Sequence, residues 1–112
     1  MAYSKTEYFS RDLAQVARLA KALAHPVRIR ILQILADRNA CLCGELVDSL
    51  PLSQSTVSQH LKELEKVGLI HGEIEGPKTC YCLNLPVLEK AMISFSKLFS
   101  GICRCSFQGG KK

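Results

Sequence analysis

The chain has 112 residues, a hydrophobic fraction of 47% and a formal net charge of +5 at pH 7. This length suits one domain with a single modest core, and the composition excludes disordered, collagen-like and low-complexity classes. No run of about 18 apolar residues and no signal-like N-terminus occur, so we expect a cytoplasmic protein without a membrane partner. The net positive charge favours a polyanionic partner, and nucleic acid is the usual one.

The first part of the chain predicts two helices that are separated at His25. Apolar residues recur at spacings of three and four between residues 6 and 24, which predicts one buried face: Phe9, Leu13, Val16, Ala20 and Leu23. Pro26 suits the first position of the second helix, because its missing N–H would have no partner inside the helix. The apolar face of that helix is formed by Val27, Ile31, Ile34 and Leu35.

A short third helix and a longer fourth helix are predicted on the two sides of Pro51. The third helix has one apolar face, made of Cys43, Leu46, Val47 and Leu50. Ser53 is the expected N-cap of the fourth helix, which runs to about Val67. Its inner face consists of Val57, Leu61 and Leu64, and its opposite face is polar and basic, with Ser55, Ser58, Gln59, Lys62 and Lys66.

A β-hairpin and a last helix follow. Gly68 ends the fourth helix, and residues 69–75 and 78–83 flank a Gly76-Pro77 turn. Pro86 opens the last helix, whose apolar stripe needs a partner surface such as a second copy: Leu88, Ala91, Met92, Phe95, Phe99 and Ile102. We therefore expect one domain over residues 1–105 and a flexible basic tail over 106–112.

The predicted order, ααααββα, is that of a mainly α winged helix-turn-helix whose small hairpin is the wing. In such a unit the second helix enters the major groove of double-stranded DNA. Serine, threonine, glutamine and lysine supply short or flexible donors for phosphates and base edges. A solvated helix face without a ligand is the alternative for the polar strip alone, and the turn, the hairpin and the net charge together favour DNA.

Three stretches, residues 23–32, 52–64 and 67–70, resemble the ArsR/SmtB family of metalloregulatory repressors. The resemblance implies a homodimer that is joined through the first and last helices and reads a palindromic operator. It also places the family's DNA-reading motif on the fourth helix and its wing tip at Lys78. Since His60 lies at the border of the buried face, it favours helix packing and is the weakest member of the predicted DNA-binding set: Ser53, Gln54, Ser55, Thr56, Ser58, Gln59, His60, Lys62, Lys66 and Lys78.

The six cysteines form three Cys-x-Cys pairs. In a reducing cytoplasm, free thiols, metal ligands or redox sensors are favoured over a disulfide framework. Cys41 and Cys43 resemble the family's metal site at the start of the third helix, although Leu46 stands where the arsenic-sensing pattern has a third cysteine. The predicted metal ligands are Cys41, Cys43, Cys103 and Cys105, and more weakly Cys80 and Cys82, which on a strand could equally be buried as small apolar residues.

Thiolates select thiophilic ions, so the expected inducer is As(III), which the resemblance favours, or Cd(II), Zn(II) or Cu(I), with no organic cofactor. A regular helix would separate Cys103 and Cys105 by about 200°, so joint chelation needs a departure from helical geometry.

Three alternatives remain open. They are a redox- or reactive-sulfur-responsive repressor of the same fold, a winged helix that binds protein, and a small thiol enzyme. The enzyme lacks support because no Cys-x-x-Cys lies beside a βαβ unit.

Overall fold

The structure, a computed structural model, describes residues 10–38, 41–42 and 45–109. Its elements are α1 (Arg11–Leu23), α2 (Pro26–Arg38), α3 (Glu45–Asp48), α4 (Gln54–Lys66), β1 (Ile70–Glu75), β2 (Lys78–Leu83) and α5 (Leu85–Gly109). This order confirms the predicted winged helix-turn-helix arrangement. Within the described ranges, no helix combines the length and the apolar character that crossing a membrane requires.

The hydrophobic core lies between α2, α3, α4 and the base of the hairpin. Its fully buried side chains are Ile31, Leu35, Leu46, Val57, Leu64, Leu69 and Ile70. The predicted inner faces of α2 and α4 are confirmed, because Ile34 and Leu61 are also buried beside these residues. Burial of each such side chain contributes about 1.5–3 kcal/mol relative to exposure, so these two faces fix the position of α4 against the scaffold.

Local signals set both ends of α4. The Ser53 hydroxyl accepts a hydrogen bond from the Thr56 amide at 3.2 Å, which confirms Ser53 as the N-cap. At the other end Gly68 adopts a left-handed conformation with φ of +84°. Its amide donates to the Glu65 carbonyl at 2.9 Å, and the Leu69 amide donates to the Leu64 carbonyl at 3.2 Å. This pair of bonds is a Schellman motif, which turns the chain sharply from α4 into β1.

The predicted buried face of α1 is wrong in part: Leu23 packs against the core, but the earlier members of that face that the structure describes do not. The residues that α1 buries are Leu19 and Ala22, whereas Leu13 is 54% exposed. The reason is that α1 carries two apolar stripes, and the first part of the predicted one faces α5 rather than the core. There Leu13 and Val16 line an open groove together with Ile93 and Leu98 of α5. Phe9 lies outside the described residues.

The apolar stripe of α5 divides between the core and solvent. Ala91 is buried, and Leu88 and Phe95 pack against the core. Farther along the helix, Met92, Phe99 and Ile102 are all more than half exposed. The helix continues to Gly109, past the boundary at residue 105 that the sequence predicts.

The hairpin is antiparallel and pairs Ile70 with Leu83 and Glu75 with Lys78. Gly76 has a φ of +62°, which the first turn position of such a tight hairpin requires. A short segment extends the sheet beyond β2, because Leu42 exchanges two backbone hydrogen bonds with Tyr81, at 3.0 and 2.8 Å. Cys41 and Leu42 therefore lie in extended backbone beside β2, not at the start of α3 as the resemblance implied.

Candidate functional site

α4 presents a polar strip opposite its buried face. The exposed members are Gln54, Ser55, Gln59, Lys62 and Lys66, and Thr56 and Ser58 are half-buried at its edge. Short α3, the turn at 49–53 and α4 form the helix-turn-helix, so this strip lies on the second helix of the unit. Amide, hydroxyl and ammonium groups in this arrangement can donate to phosphates and to base edges in a major groove.

The N-terminus of α4 adds a further anion-binding feature to the strip. Ser53 Oγ lies 3.0 Å from Thr56 Oγ1 and 3.2 Å from Ser55 Oγ, so the predicted DNA-binding hydroxyls form a connected group. The first turn of α4 contains no acidic residue. The positive end of the helix dipole is therefore not neutralised locally and favours a phosphate group at this end.

Lys66 is partly neutralised by an acid on its own helix. Its Nζ lies 3.1 Å from Glu63 Oε2, and this hydrogen bond and charge lower the pKa of the Glu63 carboxyl. Both side chains are exposed to solvent, so a phosphate can compete for the lysine. Among the described residues, Lys62 makes no ion pair, so its ammonium group is the freer of the two cations on the strip.

The His60 side chain packs between α4 and α2 and is not part of the exposed polar strip. Arg28 Nε donates a 3.1 Å hydrogen bond to His60 Nδ1, and the rings of His25 and His60 lie with centroids 4.3 Å apart. Burial, followed by the charges of His25 and Arg28, lowers the pKa of His60. This geometry agrees with the packing role that the periodicity of α4 indicates for His60.

The tip of the hairpin is exposed and carries one basic residue. Lys78 is the first residue of β2, directly after the Gly76-Pro77 turn, and its side chain is exposed opposite Glu75. Ile74, on the other strand, is 81% exposed. Lys78 is therefore placed where a wing tip would approach a DNA backbone.

The structure brings Cys41 next to Cys82, on the strand pair that the Leu42–Tyr81 bridge defines. The two residues form a disulfide with their Cα atoms 4.3 Å apart, the separation of a cross-strand pair that makes no backbone hydrogen bonds. Cys82 is 7% exposed and Cys80 is 4% exposed. Cys80 is itself disulfide-bonded. Both cysteines of β2 are thus in disulfides, although the sequence ranked them below the other four as functional residues.

Two further donors, His71 and Glu73, lie on the same face of the hairpin. Cross-strand register places His71 opposite Cys82 and Glu73 opposite Cys80. One donor atom of His71, one of Glu73 and the Cys82 sulfur all lie within 4.8 Å of one another, and His71 Nδ1 is 3.9 Å from Glu73 Oε2. Sequence reasoning missed both residues. The two-residue turn at 76–77 already fixes these pairs, so folding the predicted hairpin would have found them.

Apart from Cys41 and the two cysteines of β2, the cysteines that the sequence predicts as metal ligands lie on α5 or outside the described residues. Cys103 is a free, exposed thiol on α5, at one end of a shallow groove that Phe95 and Phe99 also line. Helix α5 is continuous through position 105, so the backbone turns about 200° between Cys103 and Cys105. Cys43, which the sequence paired with Cys41, lies outside the described residues.

The donors beside Cys82 fit a borderline metal ion. Two thiolates, an imidazole and a carboxylate are ligands that Zn(II) accepts in tetrahedral sites. A disulfide sulfur is not a thiolate, so Cys41 and Cys82 can hold an ion only when they are reduced. The same four residues can therefore perform two kinds of chemistry, thiol oxidation and ion binding, but not both at once.

Comparison with known proteins places this architecture in a family. A family model described as a helix-turn-helix domain matches residues 23–73. The transcriptional repressor SmtB of Mycobacterium tuberculosis is 44% identical over 74 residues, which cover 65% of this chain and 54% of that protein. The transcriptional repressor PagR of Bacillus anthracis is 36% identical over 85 residues, which cover 76% of this chain and 83% of PagR.

A solved structure agrees with these sequence relatives. Reduced HlyU from Vibrio cholerae superimposes with a TM-score of 0.62 at 37% identity, covering 80% of this chain and 92% of HlyU. The match spans little more than half the length of SmtB but most of PagR and HlyU. SmtB and PagR are transcriptional repressors, which removes the small thiol enzyme from the alternatives. The chain belongs to the ArsR/SmtB family of winged helix-turn-helix transcriptional regulators.

Proposed function

We propose that this protein is a transcriptional repressor that binds a palindromic operator as a homodimer and is released by a thiophilic ion at its cysteine thiolates. The observation that carries the DNA-binding half is the exposed strip of α4, whose opposite face is locked into the core through Val57 and Leu64. The repressors SmtB and PagR, which share this part of the chain, support the same activity.

A second copy is the partner that best suits the exposed faces of α1 and α5. Leu13, Ile93 and Phe99 are each more than half exposed, and Leu13 and Ile93 line one continuous open groove. An apolar patch of this kind is characteristic of an interface, because soluble monomers rarely leave such faces uncovered. A palindromic operator presents two half-sites on successive major grooves, and a two-fold dimer through these helices would supply the two copies of α4 that read them.

In this proposal the signal passes from Cys41 to the exposed strip of α4. Leu42, its neighbour, is 5% exposed and belongs to the same core cluster as Leu46 and Val57. Because close-packed cores do not deform continuously, a shift of the 41–42 segment would displace α3, which contacts α4. An ion bound by Cys41 and Cys82 would cross-link the 41–42 segment to β2. Arsenite is favoured by the resemblance, whereas the histidine and carboxylate beside Cys82 suit zinc or cadmium.

Operator release tests this proposal. A duplex selected from a random pool by the reduced protein would be titrated with and without arsenite, cadmium and zinc, for wild type and Cys41→Ser. We expect at least one ion to weaken the binding of wild type by about tenfold or more, within the usual range of allosteric coupling, and Cys41→Ser to lose the response. Unchanged affinity with every ion, or an equal response of both proteins, would contradict ion sensing at Cys41. Selected duplexes without two-fold symmetry would contradict the palindromic operator.

The Cys41–Cys82 disulfide favours a second candidate function, a redox-responsive repressor of the same fold. In that case oxidation of the two thiols, and not an ion, would change DNA affinity. Mass analysis after mild oxidation separates the two candidates. A loss of two hydrogens for each disulfide formed, including Cys41–Cys82, that coincides with DNA release without any bound ion would favour the redox switch. Release by an ion under full reduction would favour the metal sensor.

A further inference from the structure

The outer face of the hairpin carries a row of donors that crosses three strands. Cys82 is in the middle of the row. His71 is its partner on β1, and Cys41 is its partner on the extended segment next to β2. Glu73 lies on the same face, two residues from His71 along β1. These four side chains thus come from three separate parts of the chain.

The spacing of these donors suits a small tetrahedral ion. Ligand atoms on a tetrahedral Zn(II) lie about 3.5 Å apart, given its usual bond lengths to nitrogen and sulfur. In the structure the donor atoms of His71, Glu73 and Cys82 lie within 4.8 Å of one another before any ion draws them together. His71 and Glu73 are about half exposed, so side-chain rotation can close the difference without moving the backbone.

We propose that His71, Glu73, Cys82 and Cys41 form a binding site for a zinc-class divalent ion, and that the Cys41–Cys82 disulfide is the closed form of this site. The site deepens the proposed function and rests on it for any effect on DNA, because it assigns the inducer site to the wing. The mixed set of sulfur, nitrogen and oxygen donors suits zinc, which accepts thiolate, imidazole and carboxylate ligands together.

The reduced, ion-binding form and the disulfide form interconvert by exchange with a small-molecule disulfide such as glutathione disulfide, which is the oxidant. In the closing direction the Cys41 and Cys82 thiols lose two electrons and their two protons, and one S–S bond forms between them. Glutathione disulfide takes up those electrons and protons, its S–S bond breaks, and two molecules of glutathione leave. Reduction reverses this reaction, and ion binding then displaces two protons from the two thiols. Cys41 is exposed, so a small reagent can reach the bond.

Ion binding by the full chain, measured without DNA, tests the site. The reduced protein would be titrated with zinc against a chromophoric chelator, and with cobalt to observe thiolate charge-transfer absorption. We expect one ion per chain, and a loss of affinity of about tenfold or more in His71→Gln and in Glu73→Gln, because even supporting residues of metal sites have effects of that size. Both side chains are exposed, so neither substitution threatens the fold.

Three controls make the result specific. Glu75→Gln removes an exposed carboxylate two residues beyond Glu73 on the same strand and face, and it should leave the affinity unchanged. Cys103→Ser should also leave it unchanged. Protein that has been oxidised with glutathione disulfide should lose the site. An affinity of His71→Gln equal to that of wild type, a loss in Cys103→Ser as large as in His71→Gln, or full binding by oxidised protein would each overturn the site.

Measuring the DNA affinity of the same preparations shows whether a failure lies in the proposed ion site or in the proposed repressor function. If His71→Gln fails to bind zinc but its DNA affinity still responds to thiophilic ions as wild type does, the repressor stands and the wing site is not its inducer site. If zinc binds as expected and DNA affinity never responds to any ion, the site stands and the ion-released repressor is wrong.

Discussion

Arg28 of α2 and His60 of α4 are joined by a 3.1 Å hydrogen bond from the arginine Nε to the imidazole Nδ1. Arg28 also donates through Nη1 to the carbonyl of Ala22 in α1, at 3.2 Å. One side chain therefore connects three helices and holds α4 against the scaffold. Because Nδ1 accepts the bond, His60 must be neutral at that nitrogen for the connection to persist.

This connection predicts a pH-dependent stability. Burial and the charges of His25 and Arg28 lower the pKa of His60 below 6.5 in the folded protein. The unfolded chain then binds the proton more readily, so the contribution of His60 is complete above about pH 6.5 and is lost as pH falls toward the lowered folded pKa. His60→Gln should flatten this loss in urea unfolding measured from about pH 7 to 5. Exposed His71→Gln, measured with a metal chelator present, is the control, and equal pH slopes for wild type and His60→Gln would contradict the assignment.

The polar strip predicts how DNA binding depends on salt. Lys62→Ala should weaken binding to all sequences and lower the slope of log affinity against log salt by about one, since one phosphate contact is lost. Gln59→Ala should cost about 1–3 kcal/mol of discrimination at the base that it contacts. Lys90→Ala removes the same charge from an exposed position on α5 and should leave the slope unchanged. Intact salt-dependent binding in the double variant of Gln59 and Lys62 would show that another surface binds DNA.

The open apolar faces predict a dimer that one charge can disrupt. Phe99 on α5 is 56% exposed in the single chain, so Phe99→Glu should leave the helical circular dichroism unchanged. In a homodimer joined through α5, the same change would bury an unpaired carboxylate and shift the protein toward monomer. Analytical ultracentrifugation measures this, and Ile74→Glu on the hairpin is the matched control. Equal association of the two variants would place the interface elsewhere.

The turn between α4 and β1 predicts opposite effects at two glycines. Gly68 has a φ of +84°, and a Cβ there would lie 3.7 Å from Val87 Cγ2, which is ordinary contact. Gly68→Ala should therefore lower the free energy of unfolding by about 1–2 kcal/mol through backbone conformation alone. Gly101 is helical, and a Cβ there would meet nothing within 4 Å. Gly101→Ala should raise stability by about 0.5–1 kcal/mol, and the same sign at both sites in urea unfolding would contradict this account.

Local patterns in the sequence predicted most of the fold. The inner faces of α2 and α4, the cap at Ser53, the stop at Gly68 and the turn at Gly76 each depend on spacing or on one residue's backbone preference. Such preferences act over a few residues, so they can be read without knowing what lies across the core. The outward strip of α4 followed directly, because a helix with one buried face leaves the opposite face to solvent.

The tertiary structure alone decided which faces and thiols meet. α1 carries two apolar stripes, and only packing selected Leu19 over Leu13 for the core. The sequence ranked Cys80 and Cys82 below the other four cysteines, because a Cys-x-Cys pair does not record which residues lie beside it in space. Backbone pairing of Leu42 with Tyr81 set Cys41 against Cys82, and the hairpin register added His71. Contacts between distant segments depend on register and packing, and a single chain's local pattern does not specify them.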